Sequence, residues 1–235
     1  REWRHQDPKD KSRPPIVFRS WDFGGQEVYY TTHQFFLSKA RAVYLVLFKL
    51  PVVLNPELAN RVDPGNPTAA GWAAVEYWLG TLEARAGGSP VLLVGTHVDD
   101  ASVTRAGLDA VRARVAELKR RYRNVDSFHA VNAARDKERG GDRTGQAELK
   151  ARLVELAWEK KLVGYQVPNS YVLLAQQLER MALTGWQSVM PWNDFRALAM
   201  DFNIAERNVV DAARFLSETG DVVYFPEEHL VPFVF

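Results

Sequence analysis

Two short constellations carry the residue types that phosphate and base chemistry require. The first is Trp21-Asp22-Phe23-Gly24-Gly25-Gln26-Glu27, at the end of a run in which Ile16, Phe18 and Ser20 alternate with Val17, Arg19 and Trp21. An aspartate at a strand end can reach a Mg²⁺ ion through a water. A glycine three residues on lets its backbone N–H come close to a γ-phosphate, and the following glutamine can orient an attacking water. A tight strand-to-helix turn would also use Gly24-Gly25 for backbone reasons alone. The second constellation is Thr96-His97-Val98-Asp99, directly after the apolar run Pro90–Gly95. The Asp99 carboxylate offers two acceptors, matching the adjacent N1–H and exocyclic amine of guanine, and His97 can lie against the base face. Alternatively, Asp99-Asp100 caps the helix that follows.

The elements needed to position these residues are written in the hydrophobic pattern. Ala42–Leu50 (AVYLVLFKL), Pro90–Gly95 (PVLLVG) and the shorter Phe128–Ala133 (FHAVNA) read as strands buried on both faces, the habit of parallel sheets. Between them lie helical stripes. Trp72, Val75, Leu79 and Leu82 share one face; Leu108, Val111, Val115, Leu118 and Tyr122 share another; Leu149, Leu153 and Leu156 mark a third. Alternating strands and helices predict an α/β fold with a doubly wound sheet. Ligands of such sheets sit at the carboxyl ends of the strands. Both constellations fall there, and so does a third segment, Val131-Asn132-Ala133-Ala134, whose backbone N–H can contact a guanine oxygen.

Arg4–Pro15 is charged and proline-rich, and Pro51–Pro67 holds four prolines and three asparagines. Neither has the apolar content to order itself strongly. After Gly164 the composition shifts. Four arginines and no lysine stand against nine acidic residues from Tyr165 on, a charge of −5, which leaves +6 for residues 1–164. The shift predicts a domain boundary near Gly164. Beyond it, Tyr171, Leu174, Leu178 and Met181 mark a helix, Phe195, Leu198 and Phe202 a second, and Val209, Ala212, Ala213 and Leu216 a third. Asn203 and Glu206 have capping-box spacing, and Gly220 is a C-terminal stop. Strands at Val222–Phe225 and Leu230–Phe235 complete a winged-helix pattern.

Composition narrows the function classes. The chain has no cysteine, which excludes disulfides and thiolate metal sites and suits a reducing, cytoplasmic setting. No apolar run approaches the roughly 18 residues of a membrane span, and no signal peptide opens the chain. The five histidines show no metal-ligand spacing. Nucleic-acid binding by the winged helix needs a basic footprint. Its candidate recognition helix, Ala205–Thr219, instead carries Arg207 and Arg214 against Glu206, Asp211 and Glu218.

Together these motifs resemble the Roc domains of Roco proteins, the family that includes the leucine-rich-repeat kinases. Where small GTPases carry Asn-Lys-x-Asp, Roc domains carry Thr-His-x-Asp, as Thr96-His97-Val98-Asp99 does here. The segment Trp21–His33, with Tyr29 and Thr32-His33, is similar to the family's switch segment. The tail Val167–Phe235, with Val222-Val223-Tyr224-Phe225, is similar to the start of the COR domain. The resemblance implies a P-loop-GTPase-like Roc domain over 1–164 and the N-terminal, winged-helix-like part of COR over 165–235. It also implies a GTPase with GTP or GDP as ligand and Mg²⁺ as cofactor. Gln26 would be the water-positioning residue, Asp22 the indirect Mg²⁺ ligand and Gly25 the γ-phosphate sensor. Asp99 would read the base, with Thr96, His97, Asn132 and Ala133 completing the nucleotide site. Family likeness further implies homodimers through Roc-COR, upstream repeats and a downstream kinase or other effector domain. The alternative is a scaffold without turnover. The phosphate cradle Gly-x-x-x-x-Gly-Lys-Ser/Thr does not occur in these 235 residues. Arg1-Glu2-Trp3 resembles the end of the second Roc strand, so the first strand, the phosphate loop, the first helix and the switch I threonine are expected upstream.

Overall fold

A computed structural model describes residues 2–7, 11–12, 14–23, 37, 42–55, 57–58, 71–132, 144–164, 166–184, 189–224 and 233–234. The chain divides into two compact units, Arg1–Val163 and Gly164–Phe235.

The first unit is built on a parallel sheet. Strands β3 (Tyr44–Lys49), β4 (Val91–Thr96) and β5 (Val125–Val131) lie in that order, with Val46 opposite Leu93 and Leu93 opposite Phe128. Helix α1 (Leu50–Leu54) follows β3 directly. Pro51 in its first turn costs no hydrogen bond there, which is why the expected strand ends at Lys49 and its last apolar residue is already helical. Helices α2 (Gly71–Ala86) and α3 (Arg105–Arg121) pack Val75, Leu79, Leu82, Val111, Val115 and Leu118 against Val46, Phe48, Val91 and Leu93. Helix α4 (Gln146–Glu159) covers a second cluster made by Leu92, Val94, Val131 and Leu156. Central strand β4 is buried from Val91 to Gly95, as a strand covered on both faces must be.

Three features differ from the sequence expectation. Strands β1 (Glu2–His5) and β2 (Ile16–Arg19) form a separate antiparallel pair, Trp3 stacked on Phe18 at 4.6 Å, so Arg4 and His5 belong to a strand rather than to the loop. Strand β3 is buried on one face only. Val46 and Phe48 are buried, whereas Leu45 is 40% and Leu47 63% exposed, because no described element lies over that face. Among the described residues β3 pairs on one edge only, with β4. Strand β5 begins three residues earlier than its apolar residues indicate, and it carries an extra residue. Val125 pairs with Val91 and Ser127 with Leu92, leaving Asp126 as a bulge without a ladder partner. The bulge lets Val125 join the α2–α3 core while Val131, six residues on, joins the α4 cluster.

The second unit packs α5 (Asn169–Leu183), α6 (Trp192–Asp201) and α7 (Val209–Glu218) around Leu174, Phe195, Ala199, Ala212, Ala213 and Leu216. The expected capping box does not form. Asn203 takes the left-handed conformation (φ 60°) that closes α6, its N–H bonding the Met200 carbonyl. The short 3₁₀ turn Glu206–Asn208 is preceded by Ala205, with no side-chain cap. Asparagine tolerates left-handed backbone, and that use prevailed over capping. Gly220 does end α7 with φ 76°. Among the described residues the late strand β7 (Phe233–Val234) pairs antiparallel with β6 (Met190–Pro191). Residues 225–232 lie outside the described set. No described helix is long and apolar enough to cross a membrane.

Candidate functional site at the ends of β4 and β5

The parallel register sets the carboxyl ends of β4 and β5 side by side, and the two candidate base-reading segments leave from there. Gly95 lets the strand end lie close under α1. A Cβ at that position would stand 2.7 Å from Leu50 Cδ2 and 3.1 Å from the Phe128 ring, so any larger residue would have to displace the Leu50 side chain of α1. Thr96 then turns its hydroxyl to both neighbours: it donates to the Phe48 carbonyl of β3 at 3.2 Å and lies 2.9 Å from His97 Nδ1. His97 takes a left-handed backbone, φ 61°. That conformation is uncommon for a residue with a side chain and persists only where surrounding bonds hold it. Here the Asp100 N–H donates to the His97 carbonyl at 3.2 Å and the Val98 N–H reaches the Val131 carbonyl of β5 at 3.5 Å. Val98 itself packs against the main core. The loop is thus anchored to β3, to β5 and to the interior.

The two adjacent aspartates have different surroundings. Asp100 Oδ1 accepts from the Ser102 N–H at 2.9 Å and from its hydroxyl at 2.6 Å, closing a side-chain turn. The Ser102 hydroxyl first, and then its N–H, hold the Asp100 carboxyl below its usual range. The N-cap of α3 is Thr104, whose Oγ1 accepts from the Gly107 N–H at 3.1 Å. Capping and turn closure are therefore performed by Thr104 and Asp100, not by Asp99. Asp99 is exposed, and its carboxylate makes no hydrogen bond or ion pair among the described residues.

At the end of β5, Asn132 is buried. Its N–H donates to the Thr144 carbonyl at 3.1 Å, and its own carbonyl accepts from Gln146 Nε2 at 2.5 Å. Gly145, with φ 75°, opens α4 so close to β5 that a Cβ there would stand 2.0 Å from the Ala130 carbonyl oxygen. Deeper along β5 the Asp126 carboxylate meets Arg152 of α4, while the Asp126 carbonyl accepts from Lys119 Nζ of α3 at 2.5 Å. Sequence reasoning missed Thr104, Gly145, Gln146, Asp126 and Arg152. Only Thr104 carried a signal, as a threonine immediately before a periodic apolar run.

Asp22, three residues beyond the end of β2, is exposed and makes no hydrogen bond or ion pair among the described residues. Gly25, Gln26, Tyr29, Thr32, His33 and Ala133 lie outside the described set. No group of three or more His, Asp or Glu among the described residues could hold a metal ion. A lone carboxylate such as Asp22 suits Mg²⁺ held mainly by phosphates and water, and does not suit a protein-built metal cage.

The parallel strand order and the gathering of the loops at the strands' carboxyl ends define an α/β class of protein, whose ligands sit at that edge. Residues 2–99 match the family model described as "Ras of Complex, Roc, domain of DAPkinase". Over these residues the chain is similar to the Roc domains of Roco proteins. It is 34% identical over its whole length to the probable serine/threonine-protein kinase roco5 of Dictyostelium discoideum, and 32% identical over 93% of its length to the probable serine/threonine-protein kinase pats1 of the same organism. It spans 8% and 6% of those two proteins. The leucine-rich repeat serine/threonine-protein kinase 1 of Caenorhabditis elegans matches the whole chain at 26% identity. In fold, all of the chain superposes on 60% of the Roco2 RocCORdC chain of Methanosarcina barkeri, solved bound to GDP, with a TM-score of 0.67 and 21% identity.

Proposed function

We propose that this chain is the guanine-reading part of a GTP-hydrolysing switch, a Roc segment followed by the start of COR. One observation carries the reading. Asp99 projects from a loop anchored on both sides, its carboxylate without a partner among the described residues, while the neighbouring structural tasks fall to Asp100 and Thr104. Two acceptors on one carboxylate match the two adjacent donors of guanine. Asn132 and Ala133 would complete the site, a backbone N–H of that segment meeting the guanine oxygen.

The phosphates need a cradle that these residues do not provide. The edge of β3 that is unpaired among the described residues, and its face with exposed Leu45 and Leu47, would receive the strand and helix that carry such a loop in the parent protein. Gln26 would hold the attacking water in line with the γ-phosphate, and the Gly25 N–H would contact that phosphate. Asp22 would hold Mg²⁺ through a water; when bound, the ion neutralises charge on the phosphate oxygens.

The test is Asp99→Asn in the complete protein. An amide donor placed against a guanine donor leaves an unpaired polar contact. That costs on the order of 1–3 kcal/mol, about one to two decades in GDP affinity. Xanthine carries a carbonyl where guanine carries its amine, so xanthosine diphosphate should bind more tightly to the variant than to the wild type. Competition binding of both diphosphates reads the preference ratio, and an unchanged ratio would remove Asp99 from base recognition.

A further inference from the structure

We infer that Thr96 is a positioning residue that fixes the protonation form of His97, so that His97 meets the nucleoside as a hydrogen-bond acceptor through Nε2. The second half of this inference rests on the guanine reading of the 96–99 loop; the first half does not.

The argument is a proton count. A threonine hydroxyl has one hydrogen and two lone pairs. The Thr96 hydroxyl lies 3.2 Å from the Phe48 carbonyl, which can only accept, and 2.9 Å from His97 Nδ1. Both contacts are hydrogen bonds only if the hydroxyl hydrogen goes to Phe48 and Nδ1 carries its own hydrogen, donated to Oγ1. Which imidazole nitrogen holds the proton is set by the bond the other one makes. In neutral His97 the lone pair is therefore on Nε2. That nitrogen has no partner among the described residues, and the ring is exposed. The ring's place is fixed as well, because the left-handed backbone at His97 is locked by the Asp100 N–H.

This sets what His97 can recognise. A lone pair accepts from a base N–H or a ribose hydroxyl. It finds nothing in a phosphate oxygen, which is itself only an acceptor. Histidine at this loop thus reads the nucleoside and not the phosphates, and Thr96 contributes without touching the ligand. The same hydroxyl joins the end of β3 to the base-reading turn, so the tautomer is tied to the register of two strands.

Long-range ¹H–¹⁵N spectra of the intact protein labelled at histidine test the inference, recorded above the ordinary histidine range at about pH 8. His97→Gln identifies the signal. Wild type and Thr96→Ser should show Nδ1 protonated and Nε2 with its lone pair. Thr96→Val, which keeps the shape and loses the hydroxyl, should lose that form and bind GDP about 2- to 10-fold more weakly, with serine restoring both. GDP should shift Nε2, and inorganic pyrophosphate should not. A wild-type His97 protonated on Nε2, or a Thr96→Val spectrum identical to wild type, overturns the inference. So does a shift of Nε2 by pyrophosphate equal to that by GDP. If the tautomer is as inferred but GDP leaves Nε2 unmoved, the acceptor role falls. Should the Asp99→Asn preference ratio also stay unchanged, the guanine reading falls with it.

Discussion

Arg152 grips Asp126 with two nitrogens at once: Nε lies 2.8 Å from Oδ2 and Nη2 2.6 Å from Oδ1. Planar, two-pronged pairing is the strongest arrangement a guanidinium makes with a carboxylate. It fastens α4 to β5, and through the Lys119 bond to the same residue's carbonyl it reaches α3 on the other side of the sheet. The guanidinium extends further, to Glu155 and Glu159 at 3.0 Å each.

Acid stability should reveal this contact. Hydrogen bonding to Arg152, opposed by burial and reinforced by the Ser127 hydroxyl, holds the Asp126 carboxyl below its usual range. A carboxyl lowered by folding stabilises fully above its unfolded value, about 3.9, and loses that contribution as pH falls through the lower folded value. His129, whose Nε2 lies 3.0 Å from the Ser127 hydroxyl, is pushed down by burial, and so adds a loss that begins below its unfolded value of about 6.5. Arg152→Ala should cost about 1.5–3 kcal/mol near neutral pH and flatten mainly the lower step, with a smaller effect on the upper one because the Arg152 charge adds to burial in lowering His129. Urea unfolding across a pH series measures both, and an unaltered lower step would detach Arg152 from it.

Gly145→Ala should be costly although the added group is one methyl. The backbone there is left-handed, and the new Cβ would fall within 2.0 Å of the Ala130 carbonyl oxygen, which belongs to a strand and cannot retreat. A loss of at least about 1–3 kcal/mol is expected. Faster amide exchange at Asn132, whose N–H bonds Thr144 next door, should accompany it. Wild-type stability in this variant would show that α4 can start elsewhere.

Thr104→Ala and Asp99→Ala should separate fold from recognition. The first removes the α3 N-cap and should cost about 1 kcal/mol. The second removes an exposed carboxylate with no described partner and should stay within about 0.5 kcal/mol of wild type. Equilibrium unfolding of both variants decides the point; a larger loss for Asp99→Ala would return that residue to a structural role.

Much of the fold was legible because the core strands are written in apolar residues. β4 could be read as buried on both faces from Val91–Gly95 alone, and the stripes of α2, α3 and α4 named the residues that fill the clusters. β5 was legible only from Phe128, since Asp126, Ser127 and His129 are polar and pair with Arg152 or with one another. β6 was not legible, because two residues ending in proline carry no periodicity. Asn203 shows that a correct residue type can serve the wrong end of a helix. At the candidate site, the Thr-His-x-Asp residues were visible as a motif. Their supports were not, because the Phe48 and Val131 carbonyls are backbone acceptors that any residue would supply.

The bulge at Asp126 also fixes where this strand can change length. Removing any other single residue between Ser127 and Val131 would move Phe128, Ala130 or Val131 to the opposite layer of the sheet. Removing Asp126 would not: Val125 and Ser127 would become ladder neighbours opposite Val91 and Leu92, with every other side chain on the layer it now occupies. Arg152 would lose its two-pronged partner yet keep Glu155 and Glu159. Among relatives of this chain, a one-residue gap in β5 is therefore expected at position 126, accompanied by free variation at position 152.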